Sequence, residues 1–288
     1  MEYRRFGKTD IQLSTIALGG LLAHYEGFVE HPPPEEKRAI YLRALELGIN
    51  LFDMGYGDEV HIPSELKGPN GDHHFSLKVG APPPDQLSAI VEKHLANIRR
   101  DNIDILRVHH PNFRDDEGLA EAISNLKQSG KIRAVCLIRH YLEAQEDYIA
   151  HGPDLNADAD LVIYNYVCRW QEAGLKKSLA AGTGVLIMKS LGGQWISWHD
   201  KTTTNWEAVN QSKIEELSPR GEDIRSELPL VYPIVSGPWQ ELAEPEESVP
   251  STQKAIAWVL EHKAVNSVLI AFASVTELEQ GVGVVEYA

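Results

Sequence analysis

The chain has 288 residues, 43% of them hydrophobic, enough for one large core. Its formal net charge of -15 makes nucleic acid and anionic membranes poor partners in bulk, while leaving room for a local basic pocket that takes a phosphate. The start, Met1-Glu2-Tyr3-Arg4-Arg5, has no apolar leader core, and no apolar run approaches the roughly 18 residues of a membrane span, so a cytoplasmic setting is expected.

Two short alternating runs, Tyr3 to Gly7 and Ile11 to Ser14, flank Lys8-Thr9-Asp10 and predict a small hairpin. Ile16-Ala17-Leu18-Gly19-Gly20 reads as a strand ending in glycines. Glu35 to Leu47 has helical periodicity and stops at Gly48. Asn50 to Asp53 is the next strand, followed by a polar loop and the short segment Pro63 to Lys67. His74 to Lys78 is a strand, Pro82-Pro83-Pro84 a turn, and Asp85 to Arg99 a helix. A strand then runs from Ile103 to His109, and a helix from Glu117 to Ser129 that stops at Gly130.

Ile132 to Ile138 is predicted as a strand and Tyr141 to His151 as a helix. Leu161 to Tyr164 is a strand and Gln171 to Ala180 a helix. Gly184 to Met188 is a strand that leads into Lys189-Ser190-Leu191-Gly192-Gly193. A long irregular stretch from Gln194 to Val249 follows, and loops of this length are often functional. Its Trp195, Trp198, Trp206 and Trp239 suit either a ring platform over the ligand or packing on the domain. Ser251 caps a helix, Asn266 to Ile270 is the last strand, and Val275 to Val284 the last helix.

Eight strands alternating with helices predict parallel neighbours in an α/β barrel. The expected architecture is an (α/β)8 TIM barrel as a single domain over 1–288, with an N-terminal β-hairpin and a long irregular insertion after its seventh strand. In such a barrel, polar groups at the C-terminal strand ends converge on one face, where the chemistry sits. Asp53, Lys78 and His109 close three successive strands, and Tyr56 follows the first of them. An acid, a phenol, an amine and an imidazole meeting there suggest proton transfer to or from a substrate oxygen. The bland alternatives are a loop cap for Asp53, an exposed lysine for Lys78, a packed histidine for His109 and a turn aromatic for Tyr56. His110 reads as packing, and His73-His74 as solvated loop. Cys136 and Cys168 have no metal-ligand spacing and read as buried thiols. A metal-dependent hydrolase or lyase using Asp53, His109 and His110 is disfavoured, because adjacent strand residues point to opposite faces.

Several motifs in order resemble the aldo-keto reductase family, in a divergent bacterial-type form. They are Gly48-Ile49-Asn50-Leu51-Phe52-Asp53, Leu77-Lys78-Val79-Gly80, Val108-His109-His110-Pro111, Gly130-Lys131-Ile132-Arg133, Tyr164-Asn165 with Arg169, and Met188-Lys189-Ser190-Leu191-Gly192-Gly193. The resemblance implies a barrel that interconverts a carbonyl and an alcohol on a small molecule or sugar with NADP, NAD being possible. It implies Tyr56 as general acid, Lys78 as the cation that favours the phenolate, Asp53 as the anchor of that lysine and His109 as the donor that orients the carbonyl. Lys78 is therefore expected within salt-bridge reach of Asp53, and the Tyr56 hydroxyl within reach of Lys78 and His109. The implied cofactor contacts are Gly20, Arg139, Tyr164, Met188, Lys189, Ser190, Leu191, Gly192, Ser274 and Gln280.

The chain also departs from the family's pattern. Tyr56 comes three residues after Asp53, where most relatives place it five after. Ile138-Arg139 stands where the family has Ser-Asn or Ser-Gly, and Leu161 where it has Gln. Ala273 stands where a basic residue often meets the cofactor 2′-phosphate, and Gly281 where Asn often meets adenine. A redox-inactive binding or regulatory protein on the same barrel is the second reading.

Overall fold

A computed structural model describes residues 1–20, 32–69, 71–166, 169–191 and 251–283. The 194–249 segment with its four tryptophans, Gly192 and Cys168 lie outside the described residues. The hairpin is β1 (Tyr3–Arg5) and β2 (Gln12–Ser14), paired antiparallel with Tyr3 opposite Ser14. Then come β3 (Ile16–Leu18), α1 (Pro34–Glu46), β4 (Leu51–Met54), β5 (His74–Gly80), α2 (Pro84–Ile98) and β6 (Ile103–His109). They are followed by α3 (His110–Asp115), α4 (Glu117–Gln128), β7 (Ile132–Ile138), α5 (Leu142–His151), β8 (Ala159–Ile163), α6 (Glu172–Ala181) and β9 (Gly184–Met188). The last elements are α7 (Ser251–Leu260), β10 (Ser267–Ile270) and α8 (Val275–Val282).

Strands β3 to β10 form a closed barrel in chain order, and every neighbouring pair is parallel. The expected (α/β)8 barrel with an N-terminal hairpin is therefore the observed fold. Helix α3, which contains Pro111, lies in a stretch where the sequence predicts no element. The proline occupies an early position of the helix, where its missing N–H costs nothing.

Strand alternation sorts the side chains into two cores. Leu51, Ile105, Ala134, Cys136, Ile138, Ala159, Leu161 and Leu186 point inward and pack with Phe6, Ile11 and Leu13 of the hairpin segment. Phe52, Leu106, Val108, Val135, Leu137 and Val162 point outward and pack with the helices. The hairpin seals the N-terminal end. Asn50, just ahead of β4, accepts from the Ser14 N–H at 2.7 Å and donates to the Gln12 carbonyl at 2.8 Å. Asn266, just ahead of β10, donates to the Arg5 carbonyl at 2.8 Å.

His73 and His74 are not solvated. His73 is buried with Nε2 2.7 Å from the Leu66 carbonyl oxygen, and His74 Nδ1 lies 2.9 Å from Asp104. Both support the join between β5 and its neighbours near the barrel floor. The local reading failed because it saw two polar rings before a strand and not the carboxylate that strand register brings beside them.

Candidate active site

The inward positions of β4, β5 and β6 are Leu51 and Asp53, Ser76 and Lys78, and Ile105, Arg107 and His109. Each polar group therefore lies towards the C-terminal end of its strand, as expected. Asp53 and Arg107 are almost wholly buried, at 4% and 1% exposure, and His109 is at 9%. Arg107 decides the local arrangement. Its Nη2 donates to Asp53 Oδ1 in a very short contact, and its Nη1 donates to the Tyr56 hydroxyl at 3.3 Å.

This corrects the expected role of Lys78. Among the described residues, Asp53 pairs with Arg107, and no Lys78 contact to Asp53 falls within 4.0 Å. The Lys78 amine instead lies over the Tyr56 ring, 5.1 Å from its centroid. The Arg107 guanidinium lies 5.7 Å from the same centroid. Sequence reasoning passed over Arg107. Its signal was present: an arginine two residues before His109 shares that histidine's strand face and must enter the barrel.

The loop carrying Tyr56 is held by Glu59. Its Oε1 accepts from the Gly55 N–H and, at 3.1 Å, from the Tyr56 N–H. Gly55 has φ +99, and a Cβ there would lie 2.1 Å from the Lys78 carbonyl oxygen, so only glycine fits. Gly20 lies against the phenol ring itself; a Cβ at Gly20 would sit 2.4 Å from Tyr56 Cδ2. These two close approaches bring Tyr56 into the barrel mouth despite its short spacing from Asp53.

Burial raises Asp53 above the ordinary carboxylate range, against the pull of Arg107. Burial pushes Tyr56 up to about 12, with Arg107 opposing and Asp53 reinforcing. Burial works against the Arg107 charge, but Asp53 and Tyr56 hold the guanidinium protonated. Lys78 is lowered by burial and by Arg107, with Asp53 opposing. His109 falls to about 4 through burial and the Lys78 and Arg107 charges, so its ring is neutral at pH 7. Among the described residues its buried Nδ1 has no hydrogen-bond partner, and its ring packs on Tyr141 with centroids 4.7 Å apart. His110 begins α3 and turns its Nε2 to Asp147 at 3.5 Å, away from Asp53.

The expected cofactor residues divide. Gly20 lines the mouth beside Tyr56. Lys189, with φ +59, places Nζ 2.9 Å from Nε2 of His140, and its carbonyl accepts from Asn165 at 2.9 Å. Met188 ends β9, and Ser190 and Leu191 are buried just beyond it. Tyr164 is buried with its ring 5.1 Å from Trp258 of α7. Ser274 caps α8 by accepting from the Glu277 N–H at 3.1 Å, and Gln280 is exposed on that helix, its carbonyl accepting from Gln253 at 2.6 Å. Arg139 requires correction. The alternation that sends Cys136 and Ile138 inward sends Arg139 outward. There its guanidinium is fully buried and donates to Asp160 and Asp147, both at 2.7 Å, so it faces the helical layer and not the mouth.

The model of the Aldo/keto reductase family matches residues 73–288, three quarters of the chain. The chain belongs to the aldo/keto reductase family. It is 25% identical over 315 residues to L-glyceraldehyde 3-phosphate reductase of Escherichia coli O157:H7, covering 98% of this chain and 87% of that protein. It is 23% identical over 314 residues to L-galactose dehydrogenase of Arabidopsis thaliana, covering 99% of this chain and 88% of that protein. A 42% identical match to the uncharacterized oxidoreductase YcsN of Bacillus subtilis spans 62 residues, 21% of this chain and 19% of that protein. The holo form of aldo-keto reductase AKR11C1 from Bacillus halodurans superposes with a TM-score of 0.72 at 20% identity, over 99% of this chain and 91% of that one. A further structural neighbour, the putative aldo-keto reductase PA4992 of Pseudomona aeruginosa, has a TM-score of 0.66 at 18% identity, over 98% and 93%.

Family membership and these relatives support an oxidoreductase that interconverts carbonyl and alcohol. The residues of this aldo/keto reductase fit one end of a nicotinamide dinucleotide. A phenol, an ammonium and a neutral imidazole with an unpartnered buried nitrogen suit a carbonyl oxygen beside a nicotinamide. The α8 N-terminus, where the resemblance puts the 2′-phosphate, does not suit that extra group. Ala273 offers no cation, and its N–H already donates to Glu277 Oε2 at 2.8 Å.

Proposed function

We propose that this protein transfers a hydride between a nicotinamide dinucleotide and a small polyhydroxylated carbonyl or alcohol, with Tyr56 moving the proton. The observation that carries this reading is the Tyr56 hydroxyl itself. It is held at the barrel mouth by Arg107 at 3.3 Å, beneath the Lys78 amine and beside Gly20. A bound nicotinamide would supply or accept the hydride. The rest is work for the chain's own residues. His109, neutral at pH 7, can hydrogen-bond a carbonyl oxygen and stabilise charge building there. The phenol can then pass its proton to that oxygen, and the two cations stabilise the phenolate left behind.

The substrate class follows the relatives: one is named for L-galactose and another for L-glyceraldehyde 3-phosphate. We place the substrate among small sugars and their derivatives on that support. Asp53, Lys78 and His109 complete the proposed site, with Lys189, Ser190, Leu191 and Ser274 on its cofactor side.

The test is Tyr56→Phe, which removes the hydroxyl alone. The rate on an aldose panel should fall about 10²-fold or more while NADH affinity, read by tryptophan fluorescence quenching, stays the same. An unchanged rate would move the proton donor elsewhere.

A further inference from the structure

Three observations converge on Arg107. It is 1% exposed, in the middle of a barrel whose inward neighbours on β6 to β9 are mostly apolar. It contacts both Asp53 and the Tyr56 hydroxyl, and it also approaches the Met54 carbonyl at 3.4 Å. Lys78 makes neither the Asp53 ion pair nor a hydrogen bond to the phenol oxygen.

We propose that Arg107 is the positioning cation of this proton-transfer site: it holds the Asp53 carboxylate and donates to the Tyr56 hydroxyl, in the place expected of Lys78. Strand register makes this possible. Asp53 pairs with Ser76, and Lys78 with Arg107, so β5 stands between the carboxylate and the guanidinium. Ser76 is the inward residue at that level, and a serine leaves room for a long side chain to cross beneath Lys78. A guanidinium is also a rigid fork whose two Nη groups reach two separated oxygens, Nη2 the Asp53 carboxylate and Nη1 the Tyr56 hydroxyl.

The consequence concerns protons. An arginine stays charged at any pH the protein survives. The cation beside the phenol is therefore permanent, whereas a lysine cation in a buried site titrates away as pH rises. Among the described residues, the titratable and charged groups around Tyr56 are Asp53 from β4, Lys78 from β5, Arg107 and His109 from β6, and the Glu59 carboxylate at its backbone N–H. Cys136 from β7 is buried behind Arg107, and its own thiol is pushed up by burial.

The inference rests on Tyr56 being the proton donor proposed above, but its test needs neither cofactor nor turnover. A fluorinated tyrosine at position 56 ionises at lower pH than tyrosine, and its fluorine resonance reports the phenolate directly. In this background, Arg107→Leu should weaken phenol ionisation about tenfold or more, the effect of an opposite charge at this range. Arg107→Lys should fall between, and Lys78→Met should move the phenol less than Arg107→Leu does. An unchanged titration in a folded Arg107→Leu protein, or a larger shift in Lys78→Met, would overturn the proposal. If Arg107→Leu does not fold, Arg107→Lys decides: it keeps the buried charge, and its phenol must still titrate above the wild type. Retained activity in Tyr56→Phe would move the proton donor elsewhere and leave the Arg107 titration standing.

Discussion

Replacing Arg139 by Met separates a structural cation from a cofactor contact. In the wild type its guanidinium, at 0% exposure, is held by Asp160 and Asp147 at 2.7 Å each. Asp160 is also fully enclosed, at 1%, whereas the Asp147 side chain keeps 23% of its surface and can return to water. The cost therefore comes from Asp160. Removing one partner of a buried pair costs about 3–5 kcal/mol, because the other charge is left without compensation. Met fills most of the volume, so the cavity contribution is small. The pH dependence fixes the sign. Burial, resisted by Arg139, already raises Asp160 to about 6 in the folded protein, above the ordinary carboxylate value near 4. A raised carboxyl binds more protons folded than unfolded, so its contribution favours the fold at low pH and is lost as pH rises through the folded value. Without Arg139 the folded value climbs further, and the penalty at pH 7 should shrink as pH is lowered towards 5. Urea unfolding at pH 7 and pH 5, with constant m-value, measures both. Asp160→Asn in the Arg139→Met background should recover much of the loss. A loss under 1 kcal/mol at pH 7, together with weakened NADH binding, would refute this account and return Arg139 to the cofactor site.

Further expectations follow from the same geometry. Fluorescence titration should show NADPH favoured over NADH by no more than about tenfold, because Ala273 provides no cation and Glu277 occupies its N–H; a thousandfold preference would require another basic residue. Gly20→Ala should keep the fold by circular dichroism but displace the phenol ring from a 2.4 Å approach, lowering the rate without a matching loss of cofactor affinity; wild-type kinetics would show that the ring does not need this surface. His109 and His110 both fall to about 4, by burial first and by nearby cations second, so the unfolded chain takes up their protons below about 6.5. The stability they contribute is complete above that pH and declines towards pH 4, so His110→Phe should flatten the fall in melting temperature over that window. An equally steep fall in the variant would assign it to other groups.

How far the sequence went can be judged residue by residue. The barrel was legible because each strand announced itself by an apolar run between turn residues, and eight such runs separated by helices admit few arrangements. Asp53, Lys78 and His109 were legible for a related reason. Alternation fixes the face and position along the strand fixes the end, so each had to point into the barrel near its mouth. The same alternation placed Arg107 inward and Arg139 outward, and both could have been read from parity with His109 and Ile138.

Sequence could not choose the partners. Whether Asp53 meets Lys78 or Arg107 depends on the stagger between β4, β5 and β6 and on the room that Ser76 leaves, quantities set by barrel closure and not by any local pattern. Likewise the spacing from Asp53 to Tyr56 left open whether the hydroxyl would reach Lys78 and His109; Glu59, Gly55 and the close pass of Gly20 set the ring so that the hydroxyl meets Arg107 and neither of those two. Backbone periodicity decides which way a side chain leaves its strand. Only packing of distant segments decides which charge it meets there, because a buried ion must find its counterion wherever the closed barrel brings one within reach.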